Sequence, residues 1–403
     1  MDKQRRVALT IFVTICVTYL VENFLRTTAS ALTPVLIQEL GITRGAMGFL
    51  ITGYFLIYGI MQFPAGVLAD ILGPKKSIIW FTALTILGGA LFWVSYRYEL
   101  LFAAQFIMGV GTSVFYLNAI TLVTRWFPPH RKATAVGVLS AISGIGAFAS
   151  YLGFPLSVVL WGNWRTLYLG MLGVLAINWL MNYVFIKDSP IDLPPKLKPR
   201  GNVVIAFKQT LRDTRLYPLF FGYIMMGLNF ILFQWANQYL IEAKQLTYVQ
   251  AGLVTSLGTV AGFVGCIALG SLSDKLKRRR LPVIVFLGVY TVLLGCLVIL
   301  PGGLPVVVYA GLWGSMSLCG STWVLFPSMV GEVVTPEKAS IGFGVMNGLM
   351  MIISSLSTPI YGSLVDLTGS FFVPTMISLG LSVIDFIVLF LFLRETYGNI
   401  ALE

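Results

Sequence analysis

One histidine, four cysteines and a charged fraction of only 11% in 403 residues remove several functions at once. The lone His130 cannot supply a histidine proton relay, a metal cluster or a catalytic triad. Cys16, Cys266, Cys296 and Cys319 stand singly in separate apolar runs, with no CxxC or metal-ligand spacing, so they read as inert packing residues without a disulfide or redox role. No G-x-x-x-x-G-K-[ST] stretch or ATPase domain is present, so an ATP-driven motor is not expected. Nor is an enzyme, a metal site or a cofactor.

What is abundant is hydrocarbon. Hydrophobic residues make up 57% of the chain and the mean hydropathy is +0.87, outside the balance of soluble domains. Twelve apolar runs can each cross ~30 Å of hydrocarbon, which takes roughly 20 helical residues. They cover about 7–37, 45–69, 77–95, 100–124, 133–160, 166–186, 216–241, 248–272, 281–300, 304–330, 339–364 and 371–393. Backbone groups left unpaired in lipid are costly, and barrel strands would alternate over ~10 residues, so the runs are helices. The first run is too long for a signal core and is kept as span 1.

The net charge of +11 would suit a nucleic-acid partner if it were clustered on one face. With the N-terminus inside, however, 22 of the 27 Lys and Arg fall in cytoplasmic segments, as the positive-inside rule requires. The expectation is a multi-pass, monomeric protein of the cell (inner or plasma) membrane, both termini cytoplasmic, with the lipid bilayer and no nucleic acid as partner.

The longest polar interruption, Lys187 to Arg215, contains DSPIDLPPKLKPRGN, whose prolines and charges disfavour a buried helix. It divides an N-terminal six-helix bundle, 1–186, from a C-terminal one, 216–403, with 187–215 as a cytoplasmic linker. The halves repeat each other: Gly66-Val-Leu-Ala-Asp70 then Gly73 and Lys75-Lys76 in one, Gly270-Ser-Leu-Ser-Asp274 then five basic residues in the other. Repeated halves point to alternating access, with a site near the midplane at their interface.

GVLADILGPKK resembles the signature loop of the major facilitator superfamily, G-x-L-A-D-R-x-G-R-K. The resemblance extends over the chain through twelve spans, the central linker, the repeated Gly-x-Leu-x-Asp and the RWFPPHRKA loop after span 4. Ile71 and Pro74 depart from the family's arginines. Asp70, at the rim before the turn at Gly73, is expected to accept hydrogen bonds from the start of span 11 near Thr335 to Ala339, with Arg125 across from it. By symmetry Asp274 would face the start of span 5 near Arg131. These contacts exist only while the cytoplasmic side is shut; the alternative is that they are solvated loop charges.

Charges inside a span default to a functional reading. Glu22 and Arg26 are i and i+4 on span 1, hence on one face, with Ser30 continuing the stripe and Asn23 and Thr27 beside it. Arg26 offers a planar fork of donors for a carboxylate or phosphate, and Glu22 could neutralise it until an anion arrives, which would couple substrate to a proton. A static ion pair that orients span 1 is the alternative. FLRTTASALTP, GITRGAMGF and YFLIYGIMQFPAGVLAD are similar to the span 1 to span 2 segment of the anion:cation symporter and organophosphate:phosphate antiporter families. That resemblance implies that Arg26 binds the substrate anion. Phosphate-ester exchangers add an arginine on span 7; aligning on Trp235 puts Asn229 there, so a singly charged carboxylate suits the site better than a dianionic phosphate.

Weaker candidates are Tyr54, Tyr58 and Gln62 on span 2; Gln105, Thr112, Tyr116 and Asn118 on span 4; Asn229, Trp235, Asn237 and Gln238 on span 7; Trp313 and Trp323 on span 10; and Asn347 and Ser354 on span 11. For each, interhelical hydrogen bonding competes with ligand contact. Asp385, the third charge within a span, is read as a packing or polar-network residue. Span 5 lacks the G-x-x-x-G-P-x-x-G-G motif of drug:proton antiporters, and Gln105 stands where many of them carry arginine.

The chain is therefore expected to be a secondary active carrier of a small organic anion, a monocarboxylate or sugar acid, coupled to a proton or another cation. A proton-driven exporter of amphipathic compounds and a non-transporting membrane sensor or assembly partner on a carrier fold remain alternatives.

Overall fold

The computed structural model describes residues 3–189 and 212–398, and those residues contain helices and turns but no strand. Two compact units form, Met1–Lys196 and Leu197–Glu403. The first holds α1 (Lys3–Ala31), α2 (Thr33–Leu40), α3 (Arg44–Leu72), α4 (Pro74–Val94), α5 (Tyr98–Thr112), α6 (Phe115–Trp126), α7 (Pro129–Trp161) and α8 (Arg165–Phe185). The second holds α9 (Tyr217–Asn229), α10 (Ile231–Gln234), α11 (Ala236–Glu242), α12 (Tyr248–Leu276), α13 (Arg280–Ile299), α14 (Val306–Cys319), α15 (Phe326–Val333), α16 (Pro336–Thr368) and α17 (Phe372–Phe392).

Four of the twelve expected spans are broken rather than continuous, and the residues at the breaks account for two of them. In span 1, Pro34 has no N–H for the Ser30 carbonyl, so α1 stops at Ala31 and α2 restarts with proline in its first turn. In span 4 the hydroxyls of Thr112 and Ser113 bond back to the carbonyls of Met108 (3.0 Å) and Val110 (2.7 Å), a substitution that bends helices. Span 7 is interrupted at Phe230 and Trp235. Span 10 tightens into a 3₁₀ segment, Gly320–Leu325, which leaves α14 only 14 residues long. Among the described residues eleven helical stretches are long and apolar enough to cross a membrane, and the expected run 304–330 is not among them.

Backbone contact decides the packing of the first unit. A Cβ on Gly109 would sit 2.5 Å from the Tyr54 carbonyl oxygen, so α5 lies directly against α3. One on Gly146 would sit 2.1 Å from the Leu20 carbonyl oxygen, so α7 touches the backbone of α1 beside Glu22. Small residues permitting such approach are the usual glue of helices in lipid, where no hydrophobic drive separates partner from solvent.

At the signature loop, Gly73 takes φ +76 and donates its N–H to the Ala69 carbonyl (3.0 Å), while Pro74 opens α4. Proline in place of the family's arginine costs nothing there, since the first N–H of a helix has no intrahelical partner. The exposed start of α4 is capped by Asp188, which accepts the Lys75 N–H at 2.7 Å. In the second unit Glu395 receives the N–H groups of Arg279 (2.7 Å) and Arg280 (3.2 Å) at the start of α13. Each acid is the third residue after the last helix of its unit, so the repeat includes its own caps.

Glu395 makes this cap pH-sensitive. Burial alone would raise its pKa, but the N–H groups of Arg279, Tyr397, Arg280 and Thr396 together hold it below the ordinary 4.5. A carboxylate depressed on folding contributes stability that is present above 4.5 and is lost as pH falls through the lower folded value. Glu395→Gln should therefore lower the thermal midpoint at neutral pH, with the gap from wild type closing as acid is added. A gap that stays constant across that range would contradict the cap.

The opposite end of the first unit is locked by Arg165. Its Nη1 meets Glu39 at 2.6 Å, its Nε and Nη2 reach the carbonyls of Trp93 (3.2 Å) and Ser95 (3.0 Å), and its guanidinium lies between the rings of Tyr96 and Trp164. One planar fork thus ties together α2, the end of α4 and the start of α8.

Candidate functional site

In the first unit a cavity with about 230 Å³ of empty space, open solvent included, is lined by Tyr19, Glu22, Asn23, Arg26, Tyr54, Tyr58, Thr112 and Tyr116. The stripe on α1 supplies Tyr19, Glu22, Asn23 and Arg26, successive turns of one face. Helix α3 supplies Tyr54 and Tyr58, four apart, with rings stacked at 6.2 Å. Tyr116, from α6, stacks on Tyr19 at 5.5 Å. The break between α5 and α6 turns Thr112 inward, where its hydroxyl meets that of Tyr54 at 2.6 Å.

Arg26 does not pair with Glu22. Its guanidinium lies over the rings of Phe55 and Tyr58, each 5.2 Å from the centroid, with Tyr54, Tyr19 and Tyr151 around it. Neither a hydrogen bond nor an ion pair to any described residue is made by this side chain. Glu22, only 3% exposed, lies beside Thr82 and Tyr54, and its Oε1 has no hydrogen-bond partner. The expected i, i+4 pair fails because α3 offers Arg26 aromatic faces while Glu22 is directed deeper between α1, α3 and α4. Cation–π contact holds the guanidinium without consuming its donors, so its N–H fork stays available to a carboxylate.

Other sequence candidates do not line the cavity. The Thr27 hydroxyl bonds back to the Asn23 and Phe24 carbonyls and does not line the cavity. Asn118 is fully buried, donates to the Val114 carbonyl and also lies outside the lining, because the break before α6 rotates it away. Gln105 is fully buried behind the cavity, against Gly53, with neither amide atom partnered.

In the second unit Trp235 is core: it packs on Tyr361 and Phe371 and donates to the Thr358 carbonyl at 3.3 Å. The Asn237 side-chain oxygen Oδ1 accepts the Thr255 hydroxyl at 2.9 Å, tying α11 to α12. Asn347 accepts the Tyr223 hydroxyl at 3.4 Å. Asn229, at the end of α9, has no partner for either side-chain amide atom among the described residues.

At the signature-loop end, the side chain of Asp70 and the surroundings of Gly66 lie outside the described residues. Lys75 places its ammonium 5.8 Å from the Tyr183 ring, Arg125 donates to the Asp188 carbonyl (3.3 Å), and Arg131 is exposed. Gly270 has open space around it. Asp274 is already paired in its own unit, 2.6 Å from Arg279, whose Nε also meets Glu332 at 3.0 Å.

Sequence reading missed Tyr19, although it stands three before Glu22 and seven before Arg26 and so extends the same stripe. It also missed Tyr151, the one large polar residue in the apolar run GIGAFASYLGFP. Asp188, Glu332 and Glu395 carried no signal beyond charge at a helix end.

The Major Facilitator Superfamily family model matches residues 11–359. A probable sulfoacetate transporter of Cupriavidus necator is 25% identical over 90% of this chain and 88% of its own. A hexuronate transporter of Bacillus subtilis is 23% identical over 94% and 93%. Among solved structures, a bacterial homologue of the human lysosomal transporter Spinster, inward-facing and unoccupied, superposes with a TM-score of 0.78 at 14% identity, over 97% of this chain and 98% of that one.

Proposed function

The chain belongs to the Major Facilitator Superfamily, and from that premise we propose that it carries a small organic monoanion, a monocarboxylate or sugar acid, by alternating access across the cell membrane, coupled to a proton or another cation. It is a transporter and not an enzyme. The observation that carries the substrate class is the Arg26 guanidinium, wedged among phenols with none of its donors taken by a described residue. A carboxylate can accept two parallel bonds from that fork, and the Tyr19 and Tyr58 hydroxyls beside it suit the hydroxyl groups of a sugar acid. Asn229 stands where phosphate-ester exchangers carry a second arginine, so by that resemblance a monoanion is favoured. The two relatives are named for sulfoacetate and hexuronate, both acids. Cationic amphipaths would be repelled by an unpaired guanidinium, which weighs against the exporter reading.

Glu22 is the proposed coupling site. It borders the cavity yet has an oxygen that no donor satisfies, so a proton or small cation can bind there without displacing a protein partner. Uptake of a panel of labelled monocarboxylates and sugar acids into proteoliposomes tests both parts. At least one should accumulate against its gradient when a pH or sodium gradient is imposed, and Glu22→Gln should abolish accumulation while leaving substrate exchange. Accumulation by Glu22→Gln equal to wild type would rule Glu22 out.

A further inference from the structure

Asp385 is left over by everything above. It is completely buried in α17, and neither carboxyl oxygen has a hydrogen-bond partner. The polar-network role expected of it is therefore not what it performs. Contacts one turn to either side fix its place: Ser382 bonds the Thr291 hydroxyl (2.7 Å), Phe386 packs on Gly288 of α13, and Leu389 fills the space over Gly222 of α9. Asp385 thus sits at the seam where α17 meets α9 and α13.

The repeat shows what a structural residue does at this position. Helices α8 and α17 are both 21 residues long, and Asn178 and Asp385 are each the fourteenth residue. Asn178 is a strut: its amide donates to the Thr14 carbonyl (2.9 Å) and the Thr18 hydroxyl (2.7 Å) of α1. Asp385 has no such donors or acceptors. The described titratable groups on the helices packed against α17 are committed or remote from it. The hydroxyls of Tyr223, Tyr290 and Tyr361 bond Asn347, the Asn229 carbonyl and Thr375, respectively. Arg280 donates to the Phe390 carbonyl at 2.7 Å, while Tyr217, Cys296 and Asp366 are exposed. An ionised carboxylate with no donor, inside a membrane span, costs several kcal/mol. Where the first unit uses an amide, the second has a group that can be neutral only by carrying a hydrogen.

We propose that Asp385 is a proton-binding site of the second unit, loaded in the packing described here and emptied when α17 shifts against α9 and α13 during transport. When the seam opens the proton leaves the carboxyl for water continuous with one side of the membrane, and the carboxylate takes a replacement proton from water on the other side before the seam closes again. One positive charge then crosses with each cycle in addition to whatever Glu22 carries. This goes beyond the substrate reading, which rests on the Arg26 guanidinium.

Two measurements on the full chain decide it. Infrared spectra of the protein in lipid nanodiscs at neutral pH should contain a protonated-carboxyl carbonyl component that Asp385→Asn removes and Glu22→Gln leaves in place. In proteoliposomes, Asp385→Asn should retain substrate exchange but move one elementary charge less per substrate than wild type, read from the dependence of accumulation on membrane potential, and Asp385→Glu should restore the wild-type value. Because Asn is the residue the first unit uses as a strut, a purely structural role would survive this change. Unchanged charge per substrate, loss of exchange together with accumulation, or a carbonyl band undiminished in Asp385→Asn would each overturn the proposal. The infrared result holds even if no organic acid is transported, so failure of the substrate reading remains separable. If Asp385→Asn does not reach the membrane, Asp385→Leu serves the same two readouts.

Discussion

Arg26→Gln should abolish uptake of the best carboxylate substrate while leaving the protein folded. Removing one partner of a desolvated, hydrogen-bonded charge pair costs about 2–5 kcal/mol, equivalent to roughly 30-fold to several-thousand-fold in affinity. The folded state should tolerate the change, because Arg26 makes no hydrogen bond or ion pair to any described residue and only rests on Phe55 and Tyr58. Arg26→Lys should recover only part of the binding, since an ammonium keeps the charge but lacks the fork. Substrate-induced thermal stabilisation of the purified protein measures affinity directly. A stabilisation of Arg26→Gln matching wild type would remove Arg26 from the site.

Gly146→Val is expected to have the largest effect on the fold. With the Leu20 carbonyl 2.1 Å from where its Cβ would stand, any side chain must push α7 off α1. Neither backbone can yield without disturbing Tyr19 and Glu22, which flank the contact. Overpacking of this kind costs about 1–3 kcal/mol or more. For a unit of this size that corresponds to a drop of roughly 2–12 °C in thermal midpoint. Fluorescence-detected size exclusion after heating would show it, and the surviving fraction should also bind substrate less well, because the stripe on α1 is displaced. Gly137, with nothing within 4 Å of the same atom, is the control: Gly137→Val should be close to neutral. Equal behaviour of the two variants would mean that the α1 to α7 contact is looser than described.

The two variants divide the molecule by kind of evidence. Arg26 was legible from sequence because a charge in an apolar run is conspicuous and helical spacing places it on a face with Glu22, Asn23 and Tyr19. The importance of Gly146 was not, since GVLSAISGIGAFASYLGFP holds several glycines and nothing in their order tells which one meets another backbone. The same holds for the weaker candidates. Tyr54, Tyr58 and Tyr116 reach the cavity and Asn118 does not, because the bend at Thr112 and Ser113 resets the helical phase between α5 and α6.

By itself the sequence determined the class of the protein. Hydrophobic runs of membrane length force helices, and the repeat of Gly-x-Leu-x-Asp implies two related halves. All of these are local or periodic properties, readable along one chain. Only the tertiary structure decided which polar groups are satisfied. Glu22 and Arg26, a plausible pair one turn apart, are drawn to different neighbours. Trp235 and Asn237 are consumed by packing, whereas Asp385, at the place where Asn178 finds partners, finds none. Whether a polar side chain is satisfied depends on residues distant in sequence that the fold brings to it, and spacing along one helix carries no information about them.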